Sequence, residues 1–521
     1  MDVIEPFTPY AQSLMWRLHR AYYAQRGVHV WTRQEIPSIA TTNLGHARLH
    51  ARMFAACARP GPGPAVALEV GGGSGAFATA FLHALEQEAP ALAARTRYVL
   101  SDFAPETLAA AAALPTVAPW VAAGRLVTAP YDLERPDDIT LPGPPSMVMA
   151  NYVCCALPMR PIDVEGDAWK TPWVETRADL RDRSRDEFVA ALLADAEAHG
   201  RQDRITPTFE WRALDAGELG APDADVLRRA TAGLERARVL LPERWFAFMR
   251  AIAPRLAPGG LIVTSDYGFV ERERLTHLGP DDRLTERFAD SLGQEVQFAL
   301  FDDLGASLGW EVARTRDPLD EVHVAVVGPR GVAPDVRKVL DDRLWGRTEA
   351  GQLLDFREAA RVLEAQGDRE RALRFWLRCA AIDPLWPEPR ERVADLAIDT
   401  AHTAVAEEHL AAGRELTPDA AIWEHLTGRL AAARGDAEAA RVHWMQAFML
   451  EPRAATAVEL ARAALATDDL GGAFRWLERA LSTSPDDKAA QALMHELRDR
   501  SWRASIAHYR DEGAFAIVED E

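Results

Sequence analysis

The stretch LEVGGGSGAFA, residues 68–78, places four glycines between an apolar run and a helix-forming segment. The residues AVALEV (65–70) are apolar apart from Glu69 and predict a buried strand. A glycine-rich turn from a strand into a helix lets the backbone approach a ligand closely, and several nucleotide-binding folds use such a turn. The flanking sequence therefore has to decide which ligand this turn meets.

Further apolar segments alternate with helix-forming sequence after this turn. They are RYVLSD (97–102), RLVTAPYD (125–132), SMVMANY (146–152) and GGLIVTSDYG (259–268). The later segment EVARTRDPLDEVHVAVVG (311–328) predicts two short strands joined by a turn. Strands that alternate with helices indicate an α/β fold with a doubly wound, mostly parallel sheet. The terminal hairpin would add an antiparallel edge.

Polar side chains or glycines stand at the end of each of the first four predicted strands. The first strand ends in Glu69 and the glycines Gly71, Gly73 and Gly75, and the next three end in Asp102, Asp132 and Asn151. Ligands of such sheets bind at the carboxyl ends of the strands. For any one of these residues, capping of the following helix is an alternative role. Four in succession favour a binding site.

Two kinds of cofactor compete for the glycine turn. Gly71, Gly73 and Ala76 satisfy the G-x-G-x-x-G/A dinucleotide fingerprint, which expects an acid about 20 residues further on. Asp102 lies farther away, 27 residues after Gly75. An acid at Glu69 would also repel a pyrophosphate group. The dinucleotide interpretation therefore leaves Glu69 unexplained.

The pattern Glu69-x-Gly71-x-Gly73-x-Gly75 resembles motif I of the class I S-adenosylmethionine-dependent methyltransferases. That cofactor has no phosphate and carries cationic sulfonium and ammonium groups, so a nearby carboxylate is favourable. The resemblance implies that Asp102 holds the ribose hydroxyls and that Asp132 meets the adenine amine. The cofactor-binding residues implied in this way are Glu69, Gly71, Gly73, Gly75, Asp102, Phe103, Asp132 and Asn151.

Three other segments resemble the MidA family of methyltransferases. ANYVCCALP (150–158) is similar to its N-E-x-x-D-A-L-P motif, IVTSDYG (262–268) to its strand ending in Asp-Tyr-Gly, and VQFALFDDLGASLGW (296–310) to its N-F-x-x-L segment. Members of that family are associated with protein arginine methylation. The two acids of the motif fall on Tyr152 and Cys155 here. The resemblance therefore implies the fold and the cofactor more firmly than an arginine acceptor.

Methyl transfer is an in-line displacement, which depends mainly on the positions of donor and acceptor and on a base where the acceptor needs one. Tyr152 and Tyr267, at the ends of the fourth and fifth strands, are the predicted acceptor-pocket residues, and Asp266 is the predicted base or orienting group. A purely structural role is an alternative for each of the three. Cys154 and Cys155 are interpreted as small buried residues rather than nucleophiles.

The segments around the sheet predict additional parts. Residues 1–60 are expected to form a helical lid over the cofactor, with Thr42 and Asn43 facing it. The methyltransferase domain is expected to span residues 61–330, with a helical insert at 159–245. The aromatic side chains of that insert either build the acceptor pocket or anchor the insert's own core; they are Trp169, Trp173, Phe209 and Trp211.

The C-terminal third contains an internal repeat. Pro384, Pro418, Pro452 and Pro485 are separated by 34, 34 and 33 residues. Twelve residues before each proline stands an alanine (Ala372, Ala406, Ala440, Ala473), and four residues after each alanine a large side chain (Trp376, Leu410, Trp444, Leu477). Small residues let two helices approach closely, and the proline ends the second helix. The array resembles tetratricopeptide repeats and predicts an all-α solenoid over 345–521, whose concave surface would bind a peptide or protein.

Composition limits the remaining possibilities. The chain has 521 residues, 48% apolar residues and a net charge of −20, which is typical of a folded protein and disfavours nucleic-acid binding. Four cysteines without paired spacing predict reduced thiols, no metal site and a cytoplasmic location, and the sequence offers no membrane span or signal peptide. The sequence thus predicts a methyltransferase that modifies a peptide or protein recruited by the repeats. A small-molecule methyltransferase with repeats for homodimerisation and a non-catalytic assembly factor are the alternatives.

Overall fold

The computed structural model describes residues 1–33, 35–61, 63–135, 140–181, 183–194, 200–276, 284–317, 322–345 and 349–511. The chain divides into two compact units, Met1–Leu354 (unit 1) and Asp355–Glu521 (unit 2). The predicted start of the repeat domain, residue 345, lies ten residues before this division, because the helix Glu349–Ala365 crosses it. Each unit is described by itself below.

Within the described ranges, the strands all lie in unit 1. They are β1 (Asp2–Pro9), β2 (Ala65–Val70), β3 (Thr96–Asp102), β4 (Leu126–Pro130), β5 (Pro145–Asn151), β6 (Arg160–Glu165), β7 (Ala168–Ala178), β8 (Thr206–Ala213), β9 (Arg236–Leu241), β10 (Leu261–Asp266), β11 (Gly268–Phe269), β12 (Glu286–Phe288), β13 (Ser291–Gly293), β14 (Val296–Gln297), β15 (Glu311–Arg314) and β16 (His323–Gly328).

The helices fall in both units. Those that begin in unit 1 are α1 (Leu14–Arg26), α2 (His29–Thr32), α3 (Ile39–Thr42), α4 (Leu44–Cys57), α5 (Ala76–Glu88), α6 (Pro90–Ala93), α7 (Pro105–Ala113), α8 (Ala118–Ala122), α9 (Arg185–Ala194), α10 (Ala216–Leu219), α11 (Ala221–Thr231), α12 (Glu243–Ile252), α13 (Ala299–Leu308), α14 (Pro334–Trp345) and α15 (Glu349–Ala365). Unit 2 continues with α16 (Arg369–Ile382), α17 (Pro387–Asp399), α18 (Thr403–Leu416), α19 (Ala421–Ala433), α20 (Ala437–Leu450), α21 (Ala454–Ala466), α22 (Leu470–Thr483) and α23 (Lys488–Asp511).

A mixed sheet forms the centre of unit 1, with the strand order β15-β16-β10-β5-β2-β3-β4. The strands from β10 to β4 are parallel, and β16 runs antiparallel to both of its neighbours. The predicted strands and the predicted antiparallel hairpin at the edge are therefore confirmed. All residues of β2 and β10 are buried, as the continuous apolar runs indicate. The doubly wound arrangement of the helices stays a prediction.

The insert at 159–245 is not wholly helical, contrary to the prediction, because its strands β6, β7, β8 and β9 belong to an antiparallel sheet. The sheet has the order β1-β7-β6-β9, and β8 pairs with β7. Alternate residues of β7 are buried, among them Val174, Thr176 and Ala178. This period of two, and the two-residue turn Gly166-Asp167 between β6 and β7, were the strand signals in the sequence. The many charged residues on the exposed face concealed them.

The N-terminal segment is also not wholly helical, since its first residues form β1. This strand pairs with β7, and the paired residues Glu5 and Thr176 are 171 residues apart in the sequence. The buried Glu5 carboxylate accepts hydrogen bonds from the Leu14 backbone N–H at 2.7 Å and from the Thr176 hydroxyl at 3.1 Å. A strand that obtains its partner from a distant insert carries little local signal, and Pro6 interrupts its pattern.

Unit 2 consists of helices, and its repeat positions are buried as predicted. The four alanines of the repeat, Ala372, Ala406, Ala440 and Ala473, are 0% exposed. The helices α16, α18, α20 and α22 each end two residues before one of the repeat prolines, at Ile382, Leu416, Leu450 and Thr483. The prediction that a proline ends the second helix of each repeat is confirmed.

Candidate functional site

A cavity of about 590 Å³ lies at the carboxyl ends of the parallel strands of unit 1. Its walls include most of the predicted site residues: Glu69, Gly71, Asp102, Phe103, Asp132, Asn151, Tyr152 and Tyr267. Gly73, Gly75 and Asp266 are not among the lining residues. Small-molecule sites occupy about 300–1,000 Å³ and favour this edge of an α/β sheet.

The order of the strands sets the order of the side chains along the cavity. Asp132 follows β4, Asp102 ends β3, Glu69 lies near the end of β2, Asn151 ends β5 and Tyr267 follows β10. Since these strands are neighbours in the sheet, the cavity has a β4 end and a β10 end, with the glycine turn between them. The residues that the sequence assigned to the cofactor occupy β2 to β5, and Tyr267 stands beyond them.

The glycine turn requires glycine at position 73. Gly73 has φ +51°, and a Cβ there would lie 2.7 Å from the ring of Trp31. Its backbone N–H donates to Asp102 Oδ2 at 3.3 Å. A side chain at this position would therefore meet both an unfavourable backbone conformation and the indole that covers the turn.

The two acids beside the turn are buried and held by protein groups. Glu69 is 3% exposed, and its Oε2 accepts from the Tyr98 hydroxyl at 2.8 Å. Burial raises the pKa of Glu69 to about 8, although the Tyr98 hydrogen bond opposes the shift. Asp102 also accepts from the Ala104 N–H at 3.1 Å, and burial raises its pKa to about 6. A positive charge in the cavity would stabilise both carboxylates.

Asp132 and Phe103, at the β4 end, both contact Arg20. The guanidinium of Arg20 donates to Asp132 Oδ2 at 2.6 Å and lies 4.3 Å from the centroid of the Phe103 ring. The predicted partner of Asp132 was an adenine amine. The structure shows that an arginine of the N-terminal segment already pairs with this carboxylate.

Asn151 is oriented by a histidine from α4. Its Oδ1 lies 3.3 Å from His46 Nε2, and its Nδ2 is buried without a hydrogen-bond partner among the described residues. The amide nitrogen is a donor only. A ligand with an acceptor oxygen would satisfy this group.

Tyr152, the next residue, has a strained backbone. Its φ of +54° lies in the left-handed region, which a bulky side chain rarely adopts. The conformation is held by a 2.9 Å hydrogen bond from its N–H to the Ser265 carbonyl, and its ring meets that of Tyr267 edge-on with the centroids 6.2 Å apart. Such strain is concentrated at functional sites.

Asp266, the predicted base, lies behind the cavity wall. It is 0% exposed, and its carboxylate accepts from the backbone N–H groups of Cys155 and Tyr267, each at 3.0 Å. Burial raises its pKa to about 7, against the opposing effect of these hydrogen bonds. The geometry indicates that Asp266 anchors the loop after β5. Its predicted role as a base has no support from this position.

Cys154 and Cys155 are buried thiols, as the sequence predicts. Burial raises the pKa of both thiols, and the nearby Asp266 raises it further. A thiol in this state is a poor nucleophile because the thiolate is the reactive form.

Tyr267 has a buried hydroxyl with no hydrogen-bond partner among the described residues. Burial raises the pKa of this hydroxyl well above its usual value, and the neighbouring Cys155 and Asp266 add to the effect. The group therefore stays protonated. A Cβ on Gly293, which also lines the cavity, would overlap the Tyr267 Oη. Glycine at 293 thus leaves room for the hydroxyl itself.

The N-terminal segment contributes cavity residues that the sequence did not identify singly. They are Trp16, His19, Arg20, Tyr23, Trp31 and Thr41, together with the predicted Thr42. Asn43 does not line the cavity, because its Oδ1 caps α4 by accepting from the His46 N–H at 2.9 Å. The aromatic content of residues 1–60 was the available signal. It did not indicate which of these side chains would face a sheet that begins more than 20 residues further along the chain.

His19 joins the N-terminal segment to the β12–β13 hairpin. Its Nδ1 accepts from the Leu292 N–H at 2.8 Å, and the ring also bonds the Ala156 backbone. Burial lowers the pKa of His19 to about 4, so the ring is neutral. Both of its nitrogens are occupied, which excludes it as a free base.

The aromatic residues of the insert do not reach the cavity. Trp169, Trp173, Phe209 and Trp211 are absent from its walls. Trp173 instead packs against the Arg212 guanidinium, 4.4 Å from the ring centroid, and Trp211 against that of Arg238 at 4.8 Å. Of the two roles that the sequence left open, the structure favours the insert's own packing.

Unit 2 contains a cavity of about 380 Å³ between α17, α19 and α21. Ion pairs between α17 and α19, and one within α17, lie along it. Arg429 donates to Asp395 and, at 2.6 Å, to Asp399, and Arg392 donates to Asp395 at 3.3 Å. Burial lowers the pKa of Arg429. The groove thus presents charges of both signs.

Metal-binding clusters and membrane-spanning helices are both absent from the described residues. These residues contain no group of three or more His, Cys, Asp or Glu side chains placed to hold a metal ion. Nor does any described helix have the length and apolar character needed to span a bilayer.

Residues 47–298 match the model of a protein family described as "Putative S-adenosyl-L-methionine-dependent methyltransferase". All of these residues lie in unit 1, and the match supports a methyltransferase family for it. No curated protein is significantly similar to the sequence.

Several solved structures resemble parts of the chain. A protein of Burkholderia thailandensis bound to S-adenosyl-homocysteine is 18% identical, with a TM-score of 0.42, over 63% of this chain and 90% of that one. A complex named DhpI-SAM-HEP is 12% identical, with a TM-score of 0.31, over 61% and 98%. A thermophilic TPR protein of Thermus thermophilus is 15% identical, with a TM-score of 0.25, over 40% and 92%.

Proposed function

We propose that this chain is an S-adenosylmethionine-dependent methyltransferase of the MidA type, which methylates a peptide or protein recruited by tetratricopeptide-like repeats in unit 2. The observation that carries the proposal is one cavity that joins the glycine turn, Glu69 and Asp102 at adjacent strand ends. Both acids are buried and would be stabilised by a cationic ligand.

The residues of the cavity fit this cofactor. Gly71 and Gly72 bring backbone without side chains to the cavity wall, and Asn151 Nδ2 is a buried donor that a carboxylate or hydroxyl oxygen would satisfy. Gly71, Asp102 and Asn151 would hold the methionyl and ribose parts of the cofactor, and Phe103 would lie beside its adenine ring. When bound, the cofactor supplies a methyl group on a cationic sulfur. A dinucleotide fits less well, because Glu69 and Asp102 would face its phosphates.

Recruitment of a peptide is supported by the groove of unit 2. Its volume of about 380 Å³ suits a few side chains, and its arginines and carboxylates offer partners for both kinds of charge. A cytoplasmic location is supported by four free cysteines, all buried. A homodimer is a separate proposal for the same unit.

A non-catalytic assembly factor is the second candidate. The observation that favours it is the replacement of two acids of the family motif by Tyr152 and Cys155 on the cavity wall. Binding and transfer separate the candidates. The assembly factor would bind S-adenosylmethionine and form no methylated product.

Calorimetry of the full chain with S-adenosylhomocysteine tests the cofactor. We expect binding, and we expect Asp102→Asn to weaken it about 10- to 100-fold, since a hydrogen bond to a charged group contributes about 1.5–3 kcal/mol. Asp167→Asn, in the exposed turn between β6 and β7, is the matched control and should not change the affinity. Absence of binding by the unaltered chain would refute the proposal. Transfer of a labelled methyl group into protein fractions of a cell extract, rather than into small molecules, tests the acceptor class.

A further inference from the structure

The β10 end of the cavity differs in chemistry from the rest. Its wall is formed by Tyr152, Cys155, Tyr267, Phe288, Ser291 and Gly293. None of these side chains is charged. The acids and arginines that line the cavity stand elsewhere. Glu69 and Asp102 lie beside the glycine turn, and the arginines are paired, Arg20 with Asp132, Arg244 with Glu134 and Arg17 with Glu5.

In the part of the chain that the structure describes, no charged side chain lines this end; Glu286 and Glu295, which raise the pKa of Tyr267, are not on the cavity wall. The Asp266 carboxylate lies behind the wall and is fully buried, where it accepts from the N–H groups of Cys155 and Tyr267. The cavity-lining carboxylate Glu134 pairs with Arg244. Because a buried charge is stable only when it is paired and hydrogen-bonded, a guanidinium, an ammonium or a carboxylate is disfavoured here. An uncharged group that hydrogen-bonds to Tyr267 Oη fits the wall.

The β10 end also offers no free base among its described residues. His19 has both ring nitrogens in hydrogen bonds to the protein. The Ser291 hydroxyl is 3.0 Å from the Tyr23 hydroxyl, and the Cys155 thiol is hydrogen-bonded to Asp266. An amide or an alcohol needs a base before it attacks a methyl group. The acceptor must therefore be nucleophilic in its uncharged form.

Among protein side chains, the imidazole of histidine has this character at neutral pH. Its usual pKa is about 6.5, whereas lysine, arginine and the carboxylic acids are charged at pH 7 and a cysteine is mainly protonated. We propose, on the basis of the methyltransferase function proposed above, that the acceptor is a histidine imidazole that packs against the edge-on pair of Tyr152 and Tyr267, with its N–H donating to Tyr267 Oη.

The transfer then balances without a base. The lone pair of the unprotonated ring nitrogen forms the new N–C bond to the methyl carbon, and the C–S bond breaks with its electron pair going to sulfur. The sulfonium becomes a neutral thioether, and the ring becomes an N-methylimidazolium, which releases its N–H proton to water after it leaves. The donor and the acceptor together carry one positive charge before and after the transfer, so this end of the cavity never has to hold a second cation.

The test is to identify the methylated residue. Purified full chain and labelled S-adenosylmethionine are incubated with heat-treated extract of the cells that encode it, and the labelled protein is hydrolysed for amino-acid analysis. We expect the label in N-methylhistidine. Methylarginine, methyllysine or a base-labile methyl ester would overturn the histidine proposal and leave the methyltransferase function standing. Binding of S-adenosylhomocysteine without any transfer would overturn both.

Tyr267→Phe tests the hydroxyl separately. We expect the KM for the labelled protein acceptor to rise at least about 10-fold, while the Kd for S-adenosylhomocysteine, measured by calorimetry, changes less than about twofold. Gly293→Ala, whose Cβ would displace the hydroxyl, should act in the same direction. Tyr10→Phe is the matched control, because Tyr10 is buried but does not line the cavity. An unchanged KM in Tyr267→Phe would remove Tyr267 from the acceptor site.

Discussion

In unit 2, equivalent positions of successive repeats have the same surroundings. In unit 1, the end of each strand has surroundings that differ from those of the other strands. Ala372, Ala406, Ala440 and Ala473 occupy equivalent buried places on successive helix pairs. The charges of the groove pair with one another, as Arg429 does with Asp395 and Asp399. The repeat thus uses its polar groups chiefly to join neighbouring helices.

The cavity of unit 1 leaves some of its polar groups unused. Asn151 Nδ2 and Tyr267 Oη are buried without a partner in the described chain, and Tyr152 holds a left-handed backbone. Each of these features costs about 1–3 kcal/mol unless a ligand compensates it. Single unsatisfied groups also occur away from the cavity, as at Tyr10 and at Arg390 of unit 2. The comparison therefore teaches that the binding site is marked by the convergence of such groups and a strained residue at neighbouring strand ends.

The largest expected effect is on unit 2, from Trp423→Ala. Trp423 is 1% exposed, and its Nε1 donates to the Thr417 hydroxyl at 2.8 Å. Removing a buried tryptophan costs about 3–5 kcal/mol, and in a repeat the loss falls on the neighbouring helices. We expect the free energy of unfolding of unit 2, measured in urea by circular dichroism, to fall by that amount.

Trp502→Ala is the control for this change, since Trp502 is 68% exposed on α23. We expect it to alter stability by less than about 0.5 kcal/mol. Equal effects of the two substitutions would mean that burial in the repeat core does not govern the stability of unit 2.

A smaller effect is expected from Gly73→Ala in unit 1, and it should appear in binding. The Cβ would approach Trp31 and would require φ +51° of an alanine. The strain itself lowers stability by about 1–3 kcal/mol. Displacement of Trp31, which lines the cavity, should in addition weaken the binding of S-adenosylhomocysteine roughly 10-fold in calorimetry. Gly166→Ala imposes a similar φ of +57° in a turn where no atom lies within 4 Å of the Cβ. It should leave the affinity unchanged, and a loss in both variants would point to backbone strain alone.

The smallest effect concerns pH. The Glu69 carboxyl has its pKa raised by burial from 4.5 to about 8, so its contribution to stability is complete below pH 4.5 and is lost as the pH rises through 8. The contributions of Asp102 and Asp266 to stability are lost in the same way, as the pH rises through their raised pKa values of about 6 and about 7. We therefore expect the Tm of unit 1 to fall between pH 7 and 8.5, by an amount equivalent to about 1 kcal/mol, and Glu69→Gln to remove most of that fall.

Unit 2 should respond to pH in the opposite sense and in another range. Burial lowers the pKa of His409 and of His425 to about 4. Their contributions are present above pH 6.5 and are lost as the pH falls toward 4. Differential scanning calorimetry across pH 5–8.5 checks both units, and parallel pH profiles would contradict this assignment.

The sequence by itself determined the repeats of unit 2, the strands of the central sheet and the residues at their ends. These features depend on local rules: a proline ends a helix, an apolar run forms a buried strand, and consecutive parallel strands bring their carboxyl ends to one edge. For this reason Glu69, Asp102 and Asn151 were predicted to share a site, and the structure gives all three places on one cavity wall.

Only the tertiary structure decided which side chains cover that edge and which lie behind it. Asp266 and Tyr267 are adjacent in sequence, yet one is fully buried in the wall and the other faces the cavity. Trp31 over Gly73 and His19 against Leu292 are contacts between segments 42 and 273 residues apart. The pairing of β1 with β7 is of the same kind. Such contacts depend on the packing of the whole unit, and no local pattern of residues encodes them.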